Sequence, residues 1–250
     1  MPILTKEQIF NMTPESLPEN SRYHKLEKFL GNRGTTIQGL AKQYKYPEES
    51  QYVLNFDWES LFKNCPKVFN FLCSPSRRQD TRNGAEFVID LICGWLIEDR
   101  ITKFFNERIK GMQFKMTGKD KERHIIINQK NDKYNNIDAV VLDEHKKEIL
   151  QVEIQYSFSN EKYKIPLRWE KYSILRAAKA ALLFVQLGTE AKDPQFILVD
   201  MTKEHRVEES ENVFHKKGNE LYLNKDEEFV PYNSNNLYKK LKDLIESRRK

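Results

Sequence analysis

The stretch Asn136-Ile137-Asp138-Ala139-Val140-Val141-Leu142, followed after a short link by Glu148-Ile149-Leu150-Gln151-Val152-Glu153-Ile154-Gln155-Tyr156, decides how this chain folds. Both halves are rich in β-branched and aliphatic residues, which favour strands. The charged link Asp143-Glu144-His145-Lys146-Lys147 joins them as a hairpin. Each strand also carries an acid where a buried strand normally excludes one. Such charges are costly inside a sheet unless they are paired or bind a metal. The hairpin brings Asp138 and Glu153 side by side, a pair able to hold a hard divalent cation through oxygen ligands. The backbone carbonyl of Ile154 offers another oxygen. Gln155, two residues beyond Glu153, points to the same strand face.

Working outward, residues 85–106 read as a long helix. Phe87, Leu91, Trp95 and Leu96 recur at helical spacing, and Val88, Ile92 and Ile97 widen the apolar face. Glu86 lies in its first turn, where a negative charge suits the helix dipole. Strands are expected at 114–116 and 123–128, around a Gly118-Lys119-Asp120 turn. Beyond the hairpin, residues 165–187 read as a second long helical region that begins at Pro166 and runs through Tyr172, Leu175, Ala178 and Leu182. Phe196-Ile197-Leu198-Val199-Asp200-Met201 is an apolar run bounded by polar residues, as a buried strand should be. Short edge strands are expected at 221–223 and 229–230. A closing helix over 237–247 places Leu237, Leu241, Leu244 and Ile245 on one face. This order predicts an α/β fold, with a mixed central sheet flanked by helices over residues 81–250. Residues 1–80 are expected to form a mainly helical N-terminal subdomain with room to contact DNA, with helical fragments at 5–12 and 21–30 and a short helix capped by Thr35 or Thr36.

Composition sets the outer limits. The chain has 250 residues, enough for one large domain or a domain with an appendage. Its 32% charged and 39% hydrophobic residues fit a soluble globular protein, and the net charge of +5 permits a polyanionic partner without requiring one. Cys65, Cys73 and Cys93 are odd in number and contain no Cys-x-x-Cys pair, which argues against a disulfide framework and a structural zinc site. The N-terminus has no basic head followed by an apolar core, and no apolar run approaches the ~20 residues needed to cross a bilayer. A cytoplasmic protein without a membrane partner is expected.

Asp138 after Ile137, fourteen intervening residues, and then Glu153-Ile154-Gln155 resembles the motif of the PD-(D/E)XK nuclease superfamily. The helix bearing Glu86 and the helix expected from Pro166 match that family's α-β-β-β-α-β order, so the resemblance implies a restriction-endonuclease-like core over roughly residues 85–201. The nearest likeness is to type II restriction endonucleases. By that resemblance the chain is a Mg²⁺-dependent enzyme, with Mn²⁺ able to substitute, that cleaves double-stranded DNA at short sequences as a homodimer. Asp138, Glu153 and the Ile154 carbonyl are then the metal ligands. A metal-activated water attacks the phosphodiester, and Glu86 is a possible further acid.

The chain departs from the pattern at two positions. Ile137 stands where the family often has proline, and Gln155 replaces the final lysine. A glutamine can donate and accept hydrogen bonds and so orient the water, but it cannot act as a general base at neutral pH. The missing charge is open to Lys162, Lys164 or Lys171. Arg77, Arg78 and Arg82 before the first long helix, and Arg168 and Lys171 after the hairpin, are candidate phosphate contacts or simply solvated side chains. Two alternatives stand beside restriction. One is a structure-specific repair, recombination or transposition nuclease; the other is a non-catalytic DNA-binding protein with a decayed site.

Overall fold

Polar residues set just ahead of apolar runs start most of the helices in the first hundred residues. In the computed structural model, which describes residues 3–74, 82–118, 121–125, 137–158, 164–187, 194–212, 215–222 and 234–249, Thr5 opens α1 (Lys6–Phe10) with a reciprocal capping box to Gln8. Ser21 caps α2 (Arg22–Gly31), and Thr36, of the two candidates, caps α3 (Ile37–Gln43). Next come α4 (Glu48–Leu54), α5 (Trp58–Asn64) under an Asp57 cap, and α6 (Pro66–Leu72), which begins on a proline. The long helix α7 (Gly84–Arg108) follows. Its first turn passes so close to the end of α6 that a Cβ on Gly84 would lie 2.5 Å from the Leu72 carbonyl oxygen, so only glycine fits there.

The chain divides into two compact units, one of residues 1–99 with 119–134 and the other of residues 100–118 with 135–250. The division therefore falls within α7, between Asp99 and Arg100. In the first unit the helices bury Ile9, Leu30, Ile37, Leu54, Leu61 and Phe69. Residues 123–125, expected to begin a strand, are irregular instead. Arg123 has φ +60, in the left-handed region, which takes it out of any ladder. Side chains hold it: its guanidinium donates to Asp99 Oδ1 at 2.6 Å and Glu98 Oε2 at 3.0 Å, and Tyr46 Oη donates to Asp99 Oδ2 at 2.6 Å. Residues 126–128 lie outside the described residues.

The second unit is built on a five-stranded mixed sheet. After α7 the elements run β1 (Met112–Met116), β2 (Ala139–Asp143), β3 (Glu148–Ser157), β4 (Lys164–Leu167), α8 (Trp169–Ala177), β5 (Ala181–Gln186), β6 (Gln195–Asp200), β7 (Val207–Asn212), β8 (His215–Tyr222) and α9 (Ser234–Arg249). The sheet order is β1-β2-β3-β5-β6, while β4-β8-β7 form a separate three-stranded sheet. β1, β2 and β3 are antiparallel neighbours; β3 and β5 pair in parallel; β5 and β6 are antiparallel. At the β1 edge the Asn106 side chain accepts from Phe114 N at 2.7 Å and donates to Phe114 O at 3.0 Å, so it satisfies that residue as a further strand would. α9 packs on β3 and β6 through the buried Leu237, Leu241 and Ile245. The α/β class and the mixed sheet flanked by helices follow the sequence expectation.

The single helix expected over 165–187 is incorrect. Those residues form β4, α8 and β5 in succession, and the helix begins at Trp169, three residues past Pro166. Every residue of β5 is buried, so its apolar run carries no period that separates strand from buried helix. Between α8 and β5 the chain turns at Lys179, whose φ of +50 ends the helix, while Ala180 N donates back to Leu175 O at 3.0 Å. Residues 221 and 222 of one expected edge strand are the end of β8, and 223 and 229–230 lie outside the described residues. Among the described residues no helix is long and apolar enough to cross a membrane.

The β2–β3 hairpin is organised by Asp143. Its Oδ1 accepts from His145 N and Lys147 N, each at 2.9 Å, and Lys146 takes the left-handed conformation at φ +60. That position favours glycine. Lys146→Gly is expected to raise stability by about 0.5–1 kcal/mol, read as a higher urea midpoint with an unchanged slope.

Candidate active site

The hairpin register positions the acidic pair. Ala139 stands opposite Val152, so one step further places Asp138 beside Glu153. Asp138 is fixed at two points and its neighbour Ile137 at a third. Thr117 N donates to the Asp138 carbonyl at 2.8 Å, Thr117 Oγ1 donates to the Ile137 carbonyl at 2.7 Å, and the Asp138 Oδ2 accepts from Ile154 N at 2.8 Å. The last bond shows that the Ile154 N–H projects from the β2 side of the strand. A residue's N–H and C=O leave an extended strand on the same edge, so the Ile154 carbonyl projects toward the Asp138 side as well. Gln155 is half-buried and shares the face of Glu153.

Glu153 is only 5% exposed, an unusual position for a carboxylate. Its Oε1 accepts from Lys171 Nζ at 2.7 Å, while its Oε2 is buried with no hydrogen-bond donor among the described residues. Burial pushes its carboxyl well above the usual carboxylate range. Asp138 raises it further, through its negative charge and as an acceptor for the protonated form, and Lys171 opposes both. Two acids thus compete for charge in one place, with the Lys171 ammonium against the buried one.

This arrangement fits a hard divalent cation. A buried carboxyl oxygen without a hydrogen-bond donor among the described residues, a second carboxylate on the next strand and a carbonyl turned the same way form an all-oxygen donor set, which suits Mg²⁺ rather than a thiolate- or imidazole-seeking metal. Among the described residues no group of three or more His, Cys, Asp or Glu side chains gathers to hold a metal. Two carboxylates are nevertheless enough for an ion that keeps water and substrate phosphate oxygens in its shell.

The other expected site residues have these places. Glu86 lies in the first unit, where it completes a capping box: its Oε2 accepts from Asn83 N at 3.1 Å, and its own N–H donates to Asn83 Oδ1 at 2.9 Å. Arg82 is paired within the same unit, its Nη1 2.6 Å from Asp90 Oδ2. Arg168 is exposed at the N-cap of α8. Arg77, Arg78 and Lys162 lie outside the described residues. Lys171, considered from sequence both as a phosphate contact and as a substitute cation, reaches the buried acid. Nothing in the sequence selected it from its neighbours, because the turn of α8 that aims it depends on where the helix starts. No family model, curated protein or solved structure matches the chain.

Proposed function

We propose that this protein is a Mg²⁺-dependent endonuclease that cuts double-stranded DNA at specific sequences, a type II restriction enzyme on a PD-(D/E)XK-like core. The observation that carries this reading is the buried Glu153, which has one oxygen on Lys171, the other without a donor among the described residues, and Asp138 alongside. The order α7, β1, β2, β3, α8, β5, interrupted between β3 and α8 by β4 of the separate sheet and with β3 and β5 parallel, supports it.

In this reading Asp138, Glu153 and the Ile154 carbonyl hold Mg²⁺, and Mn²⁺ can replace it. The cation supplies Lewis-acid polarisation of the phosphodiester and lowers the pKa of the attacking water. The Ile154 N–H fixes the Asp138 carboxylate, so the ligand pair needs little rearrangement before binding. Gln155, with both donor and acceptor groups, orients the water. Lys171 supplies from α8 the positive charge that the motif's last position lacks, and it favours the ionised form of Glu153 against burial and Asp138. Cutting both strands of a palindromic site calls for a two-fold dimer.

Incubation of the purified protein with unmethylated plasmid and phage DNA in Mg²⁺ tests the proposal, with EDTA as control. Discrete fragments that disappear in EDTA are expected, and sequencing their ends gives the site. Intact DNA under both Mg²⁺ and Mn²⁺ overturns the reading.

A further inference from the structure

We propose that the Asp138–Glu153 pair takes one divalent cation per chain and not two, because the Lys171 ammonium stands where a second ion would bind. The inference rests on the nuclease reading above and adds how many metal ions that site holds. Three observations carry it.

The first is how the Glu153 carboxylate is divided. Its Oε2 is buried with no donor among the described residues, as a metal ligand would be, whereas its Oε1 holds Lys171 Nζ at 2.7 Å. Two-metal hydrolases keep their ions about 3.5–4 Å apart, around one reacting phosphate. With one ion on Oε2, a second that shares this carboxylate falls to Oε1. At a cation–oxygen distance of about 2.1 Å it would lie roughly 4 Å from the ammonium. Glu153 is 5% exposed, so little water is present to screen that repulsion.

The second is the supply of ligands. Asp138 Oδ2 already accepts from Ile154 N at 2.8 Å, and among the described residues no third acid, histidine or cysteine joins the pair. Glu86, the further acid expected from sequence, accepts from Asn83 N in its capping box. Mg²⁺ is held by one or two protein carboxylates together with substrate phosphate oxygens, so the pair suits one ion.

The third is charge. Asp138, Glu153 and Lys171, all ionised, carry one net negative charge between them. One divalent ion reverses it, and a second would leave three positive charges around a buried carboxylate. A fixed ammonium supplies what a second ion supplies in other enzymes, a positive charge beside the first, already in place before the reaction.

The test counts ions on the full-length protein without DNA. Mn²⁺ is titrated in and its free fraction read from the electron paramagnetic resonance signal, with Asp138→Asn as the blank for ions bound elsewhere. The wild type is expected to hold one Mn²⁺ more than the blank, and so is Lys171→Arg, which keeps the charge. Lys171→Glu puts a third carboxylate on a side chain one bond shorter, which leaves space for an ion against Oε1. That variant is expected to hold two. Two ions on the wild type, or only one on a folded Lys171→Glu, overturns this inference and leaves the nuclease reading standing. Where Lys171→Glu fails to fold even in Mn²⁺, the Lys171→Arg count decides, and two ions there overturn the inference. No ion on the wild type beyond the blank overturns the nuclease reading with it.

Discussion

Asp138→Asn is expected to lose cleavage by about 10³-fold or more, because several kcal/mol of charge stabilisation depend on the cation this residue helps to hold. The same substitution should yield a metal-free protein that melts higher than the wild type at pH 8. An asparagine oxygen can still accept from Ile154 N, so the local geometry is kept, while the charge that repels Glu153 is gone. The pH dependence follows from the raised Glu153 carboxyl. Below the ordinary carboxylate range both folded and unfolded chains hold the proton, and Glu153 costs nothing. As pH rises through that range, the unfolded chain releases the proton and the folded chain keeps it. Stability therefore falls until Glu153 ionises in the folded protein too. Removing Asp138 eliminates one cause of this loss and leaves burial, the larger one. A relief of about 1 kcal/mol corresponds to about 2–4 °C in a chain of this size. Melting curves in EDTA between pH 5 and 8.5 should show the variant's advantage growing with pH. Added Mn²⁺ should raise the wild-type midpoint, more at pH 8 than at pH 6, and leave the variant's unchanged. An Asp138→Asn protein that is no more stable than wild type at any pH would show that the two carboxylates do not repel.

The acidic hairpin was legible in the sequence because two independent patterns agreed. β-Branched and aliphatic runs marked the strands, and acids inside them contradicted burial unless they had partners. The long helix was equally readable, since its apolar positions recur over 25 residues. Legibility failed where a short run is buried on every side. Ala181–Gln186 shows neither period, and its parallel pairing with β3 depends on a tertiary partner no local pattern reveals. Within the site, Glu86 illustrates a different ambiguity: a first-turn glutamate three residues after Asn83 has the same sequence signature as a cap and as a spare ligand, and the structure gives it the capping bonds. Lys171 was visible only as one of several lysines. Its function follows from a 2.7 Å contact between a helix and a strand, and a one-residue shift in the start of α8 would point another side chain at Glu153.

Lys171→Met tests that contact. The substitution keeps the length and apolar stem of the side chain and removes its charge, leaving Glu153 buried beside Asp138 without a cation. Breaking a buried ion pair by deleting one partner costs about 3–5 kcal/mol when the remaining group stays charged. Glu153 has an escape, because its carboxyl is already raised and can take up a proton. Near pH 5 the variant should accordingly melt close to the wild type, and the gap should widen as pH climbs and protonation becomes harder. Cleavage carries the complementary signature. A cation site needs Glu153 ionised, and without Lys171 that ionisation moves to higher pH. At pH 7 with saturating Mn²⁺ the variant should be slower by about 10²-fold, the cost of roughly 2.7 kcal/mol, and much of the loss should return by pH 9. Lys171→Arg, which preserves the charge, should stay close to wild type in both respects. A lysine that merely packs α8 against the sheet would lower activity by the same factor at every pH, so a flat ratio between variant and wild-type rates would remove Lys171 from the chemistry.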